Sequence, residues 1–288
     1  MALLESNLPA VTRLRISAIS YLNTAPLMWD FEHGEAGRDF EIDYTVPSRC
    51  AAALAAGAAD IGIIPAAAYT SIPELLILPG VAIASRRPVR SILLVSKVPV
   101  QRVRRVALDS SSMTSVALTK VLFAKRWQTQ PSFISMEPRL DSMLAQCDAG
   151  LLIGDPALQV DRSQYLTYDL AEQWIGWTGK PFVFAFWAVR QIAVEGLSSA
   201  LDLALGFQQS RDHGLIGENV HQIAREWGPR LGLSETQVSE YLTANIHYYL
   251  GPDCLEGLQL FYTLADACGA LPAAPPLHFL EVAKPAAT

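Results

Sequence analysis

The residues best suited to chemistry near the start of the chain form a polar turn at residues 20–24. It reads Ser20-Tyr21-Leu22-Asn23-Thr24 and follows an apolar strand predicted at residues 14–19. Thr24 fits a helix N-cap and Pro26 fits the first helical turn. The turn would present Tyr21, Asn23 and Thr24 beside free N–H groups at the positive end of a helix dipole. We expect an anion to be favoured there, although an ordinary capped connection has the same pattern.

Similar polar segments follow three further predicted strands, at residues 40–46, 106–108 and 150–153. Their candidate donors are Ser48 after the first strand, Thr114 and Ser115 after the second, and Gly154 and Asp155 after the third. Each segment taken alone is most simply explained as helix capping. Four such polar segments at strand ends favour a site for a small dianion with two carboxylates, because ligands of open α/β sheets bind at that edge.

The composition argues against several classes of function. With 288 residues, of which 51% are hydrophobic and 17% charged, the chain is long enough for two globular domains. Its net charge of −6 gives no general attraction to nucleic acid or to an anionic membrane surface. The N-terminus lacks a basic segment followed by an apolar run, and the apolar runs are shorter than the ~18 residues that span a bilayer. We therefore expect a cytoplasmic protein with no nucleic-acid or membrane partner.

The cysteines and histidines show no metal-binding pattern. Four cysteines are scattered without CxxC spacing, and five histidines are dispersed without an HExxH motif. We expect no metal site. The cysteines are interpreted as small core residues, because a reducing cytoplasm disfavours disulfides.

The strands that carry the polar segments alternate with helices, which predicts parallel sheets. Strand and helix alternate over residues 14–64 and again over residues 91–153, and another apolar strand is predicted at residues 182–189. A polar, proline-broken stretch at residues 97–102 is suited to a crossing between two lobes. Two α/β lobes joined by two crossings would hold a ligand in the cleft between them.

This organisation predicts a discontinuous first lobe of residues 13–97 and 191–272, completed by the largely helical segment after residue 197. The second lobe would comprise residues 98–190. Residues 1–12 and the proline-rich residues 273–288 are interpreted as tails.

Six motifs, in this order, carry a resemblance to a known family. They are SYLNT at residues 20–24, DIGIIP at 60–65, DSSSMTS at 109–115, IGDPAL at 153–158, WTGKPFVFA at 177–185 and LEGLQLFY at 255–262. Together they resemble the chorismate dehydratases of the futalosine route to menaquinone, menaquinone biosynthesis family A. The resemblance covers about residues 13–272.

The resemblance implies a two-lobed, type II periplasmic-binding-protein-like α/β fold with an interlobe cleft. It also implies a lyase that dehydrates the dicarboxylate chorismate to 3-[(1-carboxyvinyl)oxy]benzoate without a metal or an organic cofactor. By the same likeness Asn23 is closest to the chemistry. The predicted substrate-binding residues, which include the strand-end donors, are Tyr21, Thr24, Ser48, Ser91, Thr114, Ser115, Gly154 and Asp155.

One position departs from the family's pattern, because Met113 stands where many relatives would carry a basic residue. Backbone N–H groups or Arg49 would then hold the carboxylate. The strand ends also lack a strong base: Asp155 is their only carboxylate, and an N-cap position would stabilise its charged form. We therefore expect the substrate's own enolpyruvyl carboxylate to remove the ring proton.

Two alternatives remain open. The later naphthoate-forming enzyme of the same pathway would share the fold, but its N-terminal motif resembles Ser-Pro-Cys-Pro-Asn-Asp-Thr rather than the turn at residues 20–24. A small-anion binding or sensing module would close on its ligand without converting it, and product formation from chorismate distinguishes the two. No feature of the sequence indicates an oligomeric state.

Overall fold

Two five-stranded sheets organise the chain, in agreement with the repeated strand and helix pattern. They belong to a computed structural model that describes residues 13–195 and 200–281. The strands are β1 (Leu14–Ile19), β2 (Phe40–Thr45), β3 (Ile61–Pro65), β4 (Leu75–Ser85), β5 (Ile92–Ser96), β6 (Arg105–Asp109), β7 (Ser132–Met136), β8 (Ala149–Ile153), β9 (Leu166–Asp169) and β10 (Phe182–Arg190).

Helices cover both sheets. The α-helices are α1 (Trp29–His33), α2 (Pro47–Ala55), α3 (Thr114–Val121), α4 (Leu140–Gln146), α5 (Gly154–Leu158), α6 (Leu170–Thr178), α7 (Gln191–Val194), α8 (Ala200–Gly214), α9 (Gly217–Leu231), α10 (Glu235–Glu240) and α11 (Pro252–Ala267). Short 3-10 helices cover Leu22–Met28, Ala36–Asp39, Ala66–Thr70 and Val100–Arg102, while π-helical turns extend α3 over Leu122–Arg126 and α10 over Tyr241–Asn245. Within the described ranges, no helix is long and apolar enough to cross a membrane.

The two sheets have the same topology. The strand order is β2-β1-β3-β10-β4 in the first sheet and β7-β6-β8-β5-β9 in the second. The first three strands of each order run parallel, which confirms the predicted pattern. The fourth strand, β10 or β5, runs antiparallel to both its neighbours. The sheets are therefore mixed, and the carboxyl ends of their parallel strands meet at the cleft.

The chain crosses between the sheets at other points than predicted. The crossing predicted at residues 97–102 is wrong, because β5 already pairs with β8 and β9 of the second sheet. The crossing lies instead at residues 86–91. The inclusion of β10 in the second lobe is also wrong, since β10 pairs with β3 and β4 of the first sheet. Both strands are apolar and almost wholly buried, so their sequences do not show which sheet they join.

A continuous hydrophobic core links the two sheets. Trp174 of α6 packs edge-on against Phe182 of β10 and Phe261 of α11, with ring centroids 5.2 and 6.3 Å apart. Helix α6 contacts β5 and β9 of the second sheet, whereas α11 contacts β10 of the first. The aromatic cluster therefore forms part of the contact between the two lobes.

The segment after α11 is partly held in place, although it was expected to be a tail. Tyr69 Oη donates to Pro276 O (3.0 Å) and accepts from His278 N (2.9 Å). Ile77 of β4 exchanges backbone hydrogen bonds with His278 and Leu280, and Leu280 is buried. The prediction of a tail is thus wrong up to residue 281, because this segment covers the exposed edge of β4. Residues 1–12 and 282–288 of the predicted tails lie outside the described residues.

Candidate active site

A cavity of about 430 Å³, counting its open side, lies where the strand ends of the two sheets face each other. Its lining residues come from both lobes and are Ile19, Tyr21, Asn23, Pro47, Pro65, Ile83, Ile92, Ser112, Met113, Thr114, Ser115, Ile153, Gly154, Phe184 and Ala185. The lining is largely apolar, with a few convergent polar groups and no charged side chain.

The structure brings together part of the predicted site. Tyr21, Asn23, Thr114, Ser115 and Gly154 line the cavity. Four other predicted residues lie behind this lining or at the cleft mouth: Thr24, Ser48, Ser91 and Asp155. Met113 lines the cavity, whereas Arg49 is exposed and outside it. An anion in this cavity would therefore be held by uncharged donors.

Asn23 projects into the cavity from the 3-10 helix Leu22–Met28. This helix begins before Thr24, and Tyr21 occupies its N-cap position without a side-chain cap. The prediction of Thr24 as an N-cap is therefore wrong. The Thr24 hydroxyl instead donates to Asn23 Oδ1 at 3.4 Å. Asn23 keeps 8% of its surface exposed, and that small part faces the cavity.

The loop before α3 is organised by a buried carboxylate rather than by serine caps. Met113 is the N-cap residue of α3 and makes no side-chain cap. Asp109 accepts hydrogen bonds from Ser111 N (2.9 Å), Ser111 Oγ (2.6 Å) and Ile153 N (3.1 Å). Burial raises the pKa of Asp109, and these hydrogen bonds oppose the rise. Asp109 therefore ties the loop after β6 to the end of β8, which fixes two sides of the cavity.

The start of α3 presents free donors to the cavity. The first backbone hydrogen bond here runs from Ala117 N to Met113 O, so the N–H groups of the first turn have no carbonyl partner in the helix. The hydroxyl groups of Ser112 and Ser115 likewise have no protein partner among the described residues, and both residues line the cavity. Together they give this side of the cavity several uncharged hydrogen-bond donors near the positive end of a helix dipole.

Thr114 differs from its neighbours, because its hydroxyl group is already used by the protein. Its Oγ1 donates to Phe184 O (2.9 Å) and accepts from Ala67 N (3.1 Å). The Thr114 side chain thus connects α3 to β10 and to the 3-10 helix Ala66–Thr70. It has no proton left to donate to a ligand carboxylate.

Hydrogen bonds across the cleft mouth hold the lobes in a closed arrangement. Ser48 N donates to Ser111 O (3.0 Å), and Ser48 Oγ lies 3.4 Å from Ser110 O. Tyr21 Oη lies 3.3 Å from Ser111 Oγ. The prediction that Ser48 caps α2 is wrong, because Val46 is the N-cap residue and Pro47 begins the helix. Ser48 contacts the opposite lobe instead.

Asp155 also bridges the lobes, and its ionisation differs from the prediction. Its Oδ1 accepts a hydrogen bond from Leu22 N at 3.0 Å. It is the second residue of the five-residue helix α5, whose N-cap is Ile153. Burial raises the pKa of Asp155 to about 6, and the bond from Leu22 opposes the rise only in part. The predicted stabilisation of its charged form is therefore wrong, because desolvation outweighs the short helix.

We expect Asp155→Asn to stabilise the protein above about pH 6. An unfolded Asp has a pKa of about 3.9, so the native carboxyl binds its proton more tightly and stability falls as pH rises from about 4 to about 6. The substitution should therefore raise the free energy of unfolding above pH 6 by at most about 3 kcal/mol. The carboxamide oxygen of the new side chain can still accept a hydrogen bond from Leu22 N. Urea unfolding at pH 4 and pH 7.5 measures the effect.

Asp148→Asn is the matched control for this prediction. Backbone N–H groups of Arg104 and Arg105 bind the Asp148 carboxylate and lower its pKa. Its charged form therefore stabilises the native state at neutral pH, and the substitution should lower stability at pH 7.5 more than at pH 4. Equal free energies of unfolding for wild type and Asp155→Asn at pH 7.5 would show that burial of the ionised Asp155 side chain does not destabilise the protein.

Ser91 is fully buried behind the lining. Its backbone carbonyl accepts from Gly154 N at 2.8 Å, and its Oγ accepts from Tyr241 Oη at 2.8 Å. Sequence reasoning missed Tyr241, which lies 150 positions away in the π-helical turn that follows α10. No local motif marks it.

Gly154 is required at its position by backbone conformation and by Tyr21. It has a φ of +62°, and a Cβ atom there would lie 2.5 Å from Tyr21 Cδ2. The Tyr21 ring, from the first lobe, therefore packs directly on the backbone of the second. Burial raises the pKa of Tyr21 to about 12, so its hydroxyl stays protonated at neutral pH.

Comparison with known proteins gives the family of the chain. The family described as menaquinone biosynthesis matches residues 14–267. The chain belongs to this family. A chorismate dehydratase from Thermus thermophilus is 31% identical to it over 274 residues, which cover 88% of this chain and 94% of that protein.

Solved structures of the same fold support the two-lobed architecture. A protein from Archaeoglobus fulgidus has a TM-score of 0.70 at 16% identity, covering 90% of this chain and 98% of that one. The alkanesulfonate-binding protein of Xanthomonas axonopodis has a TM-score of 0.65 at 18% identity, with coverage of 93% and 96%. A Candida albicans protein with the generic periplasmic binding protein fold has a TM-score of 0.63 at 12% identity, with coverage of 95% and 99%. The expected periplasmic-binding-protein-like fold is confirmed.

Proposed function

We propose that this protein dehydrates chorismate to 3-[(1-carboxyvinyl)oxy]benzoate in the futalosine route to menaquinone. The observation that carries the proposal is the similarity, over 88% of the chain, to a chorismate dehydratase of the same family. The cavity is consistent with it, because its free donors match a small substrate with two carboxylates. The cytoplasm is the proposed location, and neither a metal nor an organic cofactor is needed.

The reaction is an elimination that leaves an aromatic ring. The C–H bond at the ring carbon that bears the enolpyruvyl ether breaks, its electron pair forms the new ring double bond, and the neighbouring hydroxyl leaves. The group that accepts the ring proton then gives it to the departing hydroxide, so that one water is lost overall. Because aromatisation favours the product, the protein must chiefly position the substrate and assist proton removal and hydroxyl departure.

Asn23 is the proposed catalytic residue. Its carboxamide is the only side-chain amide among the residues that line the described cavity, and it can donate to the departing oxygen. A preorganised donor in a largely apolar cavity stabilises developing negative charge strongly, because little water competes for the bond. The first turn of α3, with Ser112 and Ser115, would hold a carboxylate on the opposite lobe.

The proton acceptor in this proposal is the enolpyruvyl carboxylate of the substrate. The described lining residues include no aspartate, glutamate, histidine or lysine. Asp155 has a pKa suited to a base, but its Oδ1 is bound to Leu22 N outside the lining. An intramolecular carboxylate close to the ring proton gains effective molarities of ~10⁵ M or more, which offsets its weak basicity.

The direct test is incubation of purified protein with chorismate, with the product identified by mass and NMR. Loss of one water and the appearance of aromatic enol ether signals support the proposal. Asn23→Ala protein purified in the same way controls for contaminating enzymes and for spontaneous decay. Chorismate that binds but is recovered unchanged would instead indicate a binding or sensing module.

Ser115→Ala and Thr114→Val are expected to separate binding from stability. Ser115→Ala removes a free hydroxyl from the cavity and should weaken chorismate binding with little change in unfolding free energy. Thr114→Val leaves Ala67 N and Phe184 O without their partner, which should cost about 1–3 kcal/mol of stability. Calorimetric titration and urea unfolding measure the two effects. Unchanged binding by Ser115→Ala would remove α3 from the anion site.

A further inference from the structure

Two of the hydrogen bonds across the cleft mouth end on one buried residue, Ser111. Its carbonyl oxygen accepts from Ser48 N at 3.0 Å, and its Oγ lies 3.3 Å from Tyr21 Oη. Both partners belong to the first lobe, whereas Ser111 belongs to the loop after β6 in the second lobe. Ser111 is 7% exposed and is not among the residues that line the described cavity. Its hydroxyl is therefore placed to act on the protein rather than on a ligand.

A buried carboxylate holds the Ser111 hydroxyl in one direction. Asp109 is 1% exposed, and its Oδ1 accepts from Ser111 N at 2.9 Å and from Ser111 Oγ at 2.6 Å. Its Oδ2 accepts from Ile153 N at 3.1 Å. Because backbone N–H groups face both oxygens, the carboxyl group acts here as an acceptor alone. The single hydroxyl proton of Ser111 is therefore donated to Asp109.

This arrangement decides the direction of the hydrogen bond between the lobes. A serine oxygen whose proton is already donated can only accept a further hydrogen bond. Tyr21 Oη must therefore donate to Ser111 Oγ, and it has no second proton for a ligand carboxylate. The Tyr21 ring, which lines the cavity, is thus held at its hydroxyl end by the opposite lobe.

We propose that Ser111 is a positioning residue, whose hydroxyl, oriented by Asp109, holds the Tyr21 ring in place and keeps the cleft closed around the substrate. This proposal rests on the proposed dehydration of chorismate and assigns no chemical step to Ser111. A Cβ atom at Gly154 would lie 2.5 Å from Tyr21 Cδ2, so the ring rests directly on the backbone of the second lobe. Loss of the hydrogen bond to Ser111 would free this wall of the cavity to open and admit water.

Ser110 is a matched control for Ser111. It is the preceding serine of the same loop, it is exposed, and its hydroxyl has no hydrogen-bond partner among the described residues. Its backbone N–H and carbonyl bind Met136 O and Ser48 Oγ, and Ser110→Ala leaves both groups in place. Ser110→Ala therefore makes the same chemical change without removing a contact of Tyr21.

The kinetic test compares Ser111→Ala, Tyr21→Phe and the double variant. Each single change removes the same hydrogen bond and should lower kcat/KM for chorismate about 2–10-fold, the usual contribution of one hydrogen bond. Adding Tyr21→Phe to Ser111→Ala should cause no further loss, because the contact is already absent. Ser110→Ala should match the wild type. A wild-type kcat/KM in either single variant, or additive losses in the double variant, would overturn the proposal.

Amide hydrogen exchange tests the same contact without turnover. Leu22 N–H is bound across the cleft to Asp155 Oδ1, whereas Ser20 N–H is bound within the first lobe. Both Ser111→Ala and Tyr21→Phe should speed exchange at Leu22 about 2–10-fold and leave Ser20 unchanged, because only opening of the cleft is favoured. Wild-type exchange at Leu22 in either variant overturns the positioning role. Faster exchange at Leu22 in both variants of a protein that does not convert chorismate keeps this role in closure and rejects the proposed function.

Discussion

Asn23→Ala is expected to lower kcat for chorismate by about 10²–10³-fold, the usual cost of removing one preorganised donor to a developing anion. KM should change much less, because in the proposed complex a carboxylate of the substrate is held elsewhere, at the first turn of α3. The fold should persist, since the Asn23 side chain lies at the cavity surface and its loss leaves no charged group unpaired. Steady-state kinetics with purified protein and a thermal unfolding curve measure the effects.

Asn219→Ala is the control for this substitution. It makes the same change on α9, where Asn219 Nδ2 donates to His213 O, away from the cavity. Its kinetic constants should equal those of the wild type. If Asn23→Ala kept a wild-type kcat, Asn23 would not act in the transition state, and the donor would have to be Ser112 or Ser115.

The sequence predicts the parallel part of each sheet because polar turns interrupt apolar runs at regular intervals. The same reasoning misses β4, which has little polar alternation, and misassigns β5 and β10. Each strand is buried on both faces, and a uniformly apolar strand is compatible with either sheet. Only the pairing of distant strands decides the crossings.

The site is predictable where local sequence determines geometry. The turn that presents Asn23 and the loop that presents Ser115 are found because they follow strands that end at the cleft. The predictions fail where one side chain meets a distant backbone. Thr114 is engaged by Phe184 O and Ala67 N, and Asp155 is desolvated beside Leu22, which no local pattern shows. Tyr241 is missed for the same reason.

Gly154→Ala is expected to lower kcat about 10²-fold by displacing Tyr21. The new Cβ would lie 2.5 Å from Tyr21 Cδ2, whereas carbon atoms pack at about 3.5–4.0 Å, so the ring must move by about 1 Å. A shift of that size near reacting groups can cost about 100-fold in rate. Tyr21 also contacts Ser111 across the cleft, so its displacement would disturb lobe closure. Chorismate turnover measures the effect.

Gly179→Ala distinguishes this clash from backbone strain. Gly179 has a φ of +69°, close to that of Gly154, but a Cβ there would meet no atom within 4 Å. Both substitutions carry the left-handed backbone cost of about 1–2 kcal/mol, and only Gly154→Ala carries the collision with Tyr21. We therefore expect similar backbone strain but a loss of turnover only at Gly154. Equal kcat values for the two variants would show that closure of Tyr21 onto Gly154 is not needed for the reaction.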